Sequence, residues 1–177
     1  MRTNLVSMLD HIGLASAFGI ATCANLFDPA YERVHFTSAL RYPVFVGDAN
    51  YNGTPDILKT PLLKSMIDGC LADEAQRLSN AVWLPLGPQP ARVLDNLCKR
   101  GLMDRRRVLE GLPHPSGANA ERISYFMGRK ARELLSSKTN PEALDAAFNR
   151  LRDQVQTLSV SSLIPLDARG QGAVQIG

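Results

Sequence analysis

Residues 114–119 read His-Pro-Ser-Gly-Ala-Asn, a set whose types and spacing can do chemistry on an anion. Pro115 biases the preceding His114 toward an extended backbone, which fixes the direction of its imidazole. Ser116, Gly117 and Asn119 lead into a helix start, where free N–H groups and the positive helix end favour a phosphate. Gly117 lets a second backbone approach closely. An imidazole beside a phosphate-contacting turn suits the polarisation of a leaving group next to a sugar–phosphate chain. The same residues are equally compatible with a capped turn carrying an incidental histidine. A third reading makes Ser116 a nucleophile with His114 as its base. It is disfavoured by the lack of a Gly-x-Ser-x-Gly elbow and by the short spacing on a proline-containing loop.

The elements that must position this loop alternate between strand and helix. Residues 4–18 place Leu5, Met8, Leu9, Ile12 and Leu14 near helical spacing, with Asn4 as a possible N-cap. The run 33–38 (RVHFTS) predicts a strand, and 47–55, dense in Gly, Asn, Asp and Pro, predicts a loop. Pro61 opens a helix with an apolar stripe through Leu62, Leu63, Met66, Ile67, Cys70, Leu71 and Leu78. Residues 81–86 predict a second strand, ending in Gly87-Pro88. The helix 89–100 then buries Val93, Leu94 and Leu97 and stops at Gly101.

Residues 107–112 predict a third short strand running into the 114–119 loop, and a helix follows from Ala120 to about Leu135. Asn140-Pro141 begins a last helix, a cap followed by proline at the first helical position. Its stripe runs through Leu144, Ala147, Phe148, Leu151, Val155 and Leu158, and the sequence from Ser159 onward is aperiodic. Alternation of this kind predicts an α/β fold, a three-layer sandwich around a short, mainly parallel sheet. Ligands of such sheets sit beyond the carboxyl ends of the strands, which here are segments 38–45, 87–90 and 114–119.

Length and composition set the outer bounds. A chain of 177 residues suits one domain with a substantial core, and 45% hydrophobic with 21% charged residues excludes global disorder. Aromatics make up 6%, too few for a surface built largely on stacked rings. The net charge of +3 is uneven: residues 99–132 hold nine basic and three acidic residues, which points to a local anionic partner. Cys23, Cys70 and Cys98 are odd in number, widely spaced and without a CxxC pair, so neither a disulfide framework nor a structural zinc site is expected, and four-ligand iron–sulfur chemistry is disfavoured. Asp10 and His11 interrupt the first apolar stretch, and no uncharged run reaches the roughly 18 residues of a membrane span. A soluble, cytoplasmic protein without cofactor or metal is the expectation.

The segment GLPHPSGANAER resembles the second signature motif of the uracil-DNA glycosylase superfamily, the His-Pro-Ser-x-x-[Ser/Asn] loop. In the same order, HFTSALRYPVF resembles the family strand that carries the uracil-reading residue, and WLPLGPQPARVLDNL the next strand-Gly-helix unit. The resemblance covers about residues 5–135. It implies that His114 stabilises negative charge on the uracil O2 as the N-glycosidic bond breaks, and that Ser116 holds a flanking phosphate while the nucleotide is flipped. Gly117, Ala118, Asn119, Arg122 and Arg105 are the further DNA-contact candidates, and uracil-containing DNA is the implied partner of a monomer. Ala118 stands where many relatives carry a large wedge, and alanine cannot fill a vacated base position. Ser38 stands where relatives usually have a base-reading asparagine; Asn50 or Asn52 could substitute, although such asparagines also form turns.

Relatives begin with a strand leading to a Gly-rich motif that positions the attacking water. No match to it is found in residues 1–20. That strand lies centrally in the family's sheet, between those matching 33–38 and 81–86. The expectation is therefore an N-terminally incomplete glycosylase-like domain over residues 1–158, lacking its first strand, with a tail over 159–177. A tail segment pairing between those two strands would count against it. The alternative is a catalytically impaired relative that only binds nucleic acid.

Overall fold

The computed structural model describes residues 1–161 and 174–176. Three short strands, β1 (Val34–Phe36), β4 (Val82–Leu84) and β5 (Val174–Ile176), form a parallel sheet in the order β1-β5-β4. Val34 and Val82 both pair with Val174, and Phe36 and Leu84 both pair with Ile176. A separate antiparallel hairpin joins β2 (Phe45–Val46) to β3 (Ala49–Asn50), the second strand falling within the stretch 47–55 expected to be loop.

The alternation of β4 shows why helices cover both faces. Val82 and Leu84 point into one core with Leu5, Leu9, Leu109 and Leu151, while Trp83 points into a second core with Ile67, Val93 and Leu97. The first layer holds α1 (Arg2–His11), α2 (Leu14–Phe18), α6 (Ala120–Phe126) and α7 (Pro141–Ser161). The second holds α3 (Pro61–Met66), α4 (Ala72–Arg77) and α5 (Pro88–Lys99), with a π turn at Ile67–Leu71 joining α3 to α4. The architecture is mixed α/β, and no helix among the described residues is long and apolar enough to cross a membrane.

Several expectations need correction. The central place between β1 and β4 is occupied by β5, so the sheet does not lack a middle strand. Part of the segment expected to be a tail supplies it, and α7 extends through Ser161; residues 162–173 lie outside the described ones. The strand expected at 107–112 reduces to one parallel bridge, Trp83 to Val108, with the Leu109 N–H donating to the Trp83 carbonyl at 2.8 Å. Asp104 wins the preceding residues for a 3-10 turn, Arg105–Arg107, by accepting from the Arg106 N–H at 2.9 Å.

The helix from Ala120 stops at Phe126, because Gly128 follows at φ +67 and closes its end. The first helix breaks at Gly13, at φ +86, and Asn4 lies inside α1 rather than capping it. The cap at Asn140 forms as expected, its Oδ1 accepting from the Ala143 N–H at 2.9 Å.

Candidate functional site

The carboxyl ends of β4 and of the Val108 bridge open into a cleft of about 640 Å³. One wall is the turn Pro85–Ala91 and the other is Glu110–His114, with Asn119, Arg122 and Leu144 closing the rim. Gly87 sits at φ +107, and a Cβ built there would stand 3.4 Å from His114 Cδ2. The turn therefore needs glycine for its backbone, and the imidazole edge passes just beside it.

Local hydrogen bonds fix the His114 ring. The Ser116 N–H donates to Nδ1 at 3.3 Å. A backbone N–H can only donate, so in the neutral ring the proton sits on Nε2. Nε2 has no partner among the described residues and is the ring's free donor in the cleft wall. Asn4 Nδ2 donates to the Pro115 carbonyl at 3.1 Å, so α1 holds the loop from behind.

Behind the imidazole runs a relay of polar side chains. Arg122 Nη1 donates to Asn119 Oδ1 at 2.9 Å, and Asn119 Nδ2 donates to Ser116 Oγ at 3.2 Å. Ser116 Oγ accepts that bond, and its own proton has no acceptor among the described residues. Gly117–Asn119 form a 3-10 turn into α6, and the Gly117 and Ala118 N–H groups have no protein acceptor among the described residues. This arrangement removes the nucleophile reading: the serine meets the imidazole through its backbone N–H, while its Oγ faces Asn119.

Glu121, next to Arg122, anchors the loop that follows. It accepts from Lys130 Nζ, the Ser136 N–H and Oγ, and Thr139 Oγ1, and Lys130 with these groups holds its carboxyl well below the usual carboxylate range. Arg122 Nη2 adds a bond to the Lys138 carbonyl at 3.1 Å.

Other candidates fall elsewhere. Ser38 is exposed beyond the end of β1, Asn50 is exposed in β3, and Asn52 Oδ1 accepts from the Thr54 N–H at 3.3 Å as a turn former. None of the three lines the cleft. Arg105 is paired with Glu110 at 2.6 Å, and Glu110 itself is the one carboxylate in the cleft wall, a residue that sequence reading did not single out. Six of the nine basic residues of 99–132 (Lys99, Arg100, Arg105, Arg106, Lys130 and Arg132) sit in ion pairs, so the block is largely a self-neutralised surface.

Comparison with known proteins gives one similarity. The chain is 38% identical over 132 residues to a protein of Bacillus subtilis (strain 168) described as uncharacterized protein YoxB, covering 73% of this chain and 52% of that one. The chain thus spans about half the length of the curated relative it matches. No family model matches it. No solved structure matches it either.

Proposed function

We propose that this domain hydrolyses the N-glycosidic bond of uracil flipped out of DNA. The observation that carries the reading is the Ser116 N–H to His114 Nδ1 bond, which in the neutral ring puts the proton on Nε2, in the cleft wall. As the bond from C1′ to the base breaks, its electron pair moves onto the uracil and charge develops on O2. A preoriented Nε2–H donates to that oxygen and stabilises the leaving anion. Ser116 Oγ–H, aimed by Asn119, and the free N–H groups of Gly117 and Ala118 suit a flanking phosphate. In this reading Glu110, tied through one oxygen to Arg105, orients the water that adds to C1′ and accepts the proton that the water gives up.

The tied state of Glu110 also favours a second reading, in which the domain binds nucleic acid without cleaving it. One assay separates the two: incubation with uracil-containing single- and double-stranded DNA, followed by detection of abasic sites. Excision is expected, with His114→Ala lowering the rate by roughly 10²–10³-fold, as for loss of one oxyanion donor, and Glu110→Gln lowering it as well. Salt-sensitive binding without excision would select the second reading. Full excision by His114→Ala would refute the mechanism.

A further inference from the structure

Three of the large apolar side chains most exposed on this protein lie within one five-residue run. Tyr42 is 63% exposed, Phe45 61% and Val46 48%. Phe45 and Val46 are consecutive in β2, so they point to opposite faces of the hairpin, and both faces are bare. A hairpin of two-residue strands has little stability of its own, and this one is held at its base. The Tyr51 N–H donates to the Val44 carbonyl at 2.9 Å, and both side chains pack against the core around Trp83 and Val93.

The segment that follows the hairpin touches the rim of the His114 cleft. Asp56 pairs with Arg92 of α5 at 2.9 Å, and Arg92 also donates to Gln89, a cleft-wall residue. Gly53 comes so close to the same side chain that a Cβ there would stand 3.1 Å from Gln89 Nε2. The hairpin is therefore joined by a short connection to the rim of the cleft where, on the reading above, a DNA strand must run. Exposed Arg41 precedes Tyr42, and Arg41 and Asp48 are the only charged residues in 39–53. Unstacked bases fit such a surface, since every base offers a π-face to an aromatic ring and the adjoining phosphate suits an arginine.

We propose that the 42–50 hairpin stacks Tyr42 and Phe45 on bases flanking the flipped nucleotide, supplying the apolar contact that Ala118 is too small to make. The inference rests on the DNA reading of the cleft. Its test is fluorescence anisotropy of a labelled single-stranded deoxyuridine oligonucleotide, titrated at several salt concentrations with the wild type and with Tyr42→Ser/Phe45→Ser. The expected result is an affinity loss of about tenfold or more per ring, with the slope of log K against log salt unchanged. Both sites are exposed, so the melting temperature should not move, and Phe45→Trp, which keeps a ring, should keep binding. Wild-type affinity in the double variant would overturn the inference while leaving the cleft reading standing. So would unchanged DNA binding with a wild-type dimer that becomes a monomer in the variant, because a second copy would then be what covers the hairpin. A wild type that binds no DNA would overturn both.

Discussion

Gly111, three residues ahead of His114, packs directly against α7. Its φ is +124, and a Cβ built there would lie 2.8 Å from Ala147 Cβ and 3.6 Å from Ala147 Cα. Carbon atoms prefer to sit about 3.5–4.0 Å apart, so Gly111→Ala forces the loop or the helix to give by most of an ångström. The positive φ adds roughly 1–3 kcal/mol of backbone strain, and overpacking of a filled contact adds about 1–3 kcal/mol. Their sum predicts a loss of about 2–6 kcal/mol. For a chain of this length that is a melting point lower by roughly 4–24 °C.

Urea unfolding followed by circular dichroism measures the loss directly. Pairing the change with Ala147→Gly removes the methyl that the new Cβ meets and leaves the φ strain in place. A favourable coupling of about 1–3 kcal/mol is expected in the double-mutant cycle, set against a helix-propensity cost of about 1 kcal/mol for the new glycine. A Gly111→Ala protein within ~0.5 kcal/mol of wild type, or a cycle with no coupling, would refute the reasoning.

Two further outcomes can be checked on stability alone. Glu121 titrates below its ordinary range because the folded state holds its charged form, so its contribution is present at neutral pH and is lost as pH falls below that range. Thermal melts at decreasing pH should show this loss in the wild type and a flatter profile in Glu121→Gln, which should also be the less stable protein at pH 7. Ending the chain at Ser161 removes β5 and leaves the facing backbone groups of β1 and β4 unpaired. Trp83, the single tryptophan, is buried on β4, so its emission should shift to the red and the unfolding transition should lose cooperativity; an unaltered transition would mean that β5 contributes nothing to the sheet.

The parts legible in the sequence were those with local chemistry. Pro88 after Gly87, Asn140 before Pro141, and the apolar stripe of Ala147, Leu151, Val155 and Leu158 are short-range signals, and the structure follows them. The loop 114–119 was legible as a turn into a helix, while the roles of its side chains required the relay from Arg122 through Asn119 to Ser116. Elements decided by competition were misread. Val108 and Leu109 look like the middle of a strand, but Asp104 captures the preceding arginines and only one bridge remains. Strand β5 carries no periodic signal because three residues cannot show one, and only its two neighbours define it. Glu110 was passed over because a single carboxylate in a basic stretch reads as a charge partner, which it also is.

The placement of β5 has a consequence for the order of events during synthesis. Val34 and Val82 meet Val174, so the strand between them leaves the ribosome only after both outer strands, α5, α6 and α7 have emerged. Until then β1 and β4 face each other across a gap with two rows of unpaired amides, which is an open template for any extended chain nearby. Such long-range closure is slow compared with helix formation. The nascent domain therefore passes through a stage when its helices are formed and its sheet is not, and at that stage a holdase or an intruding strand can compete with its own C-terminal segment.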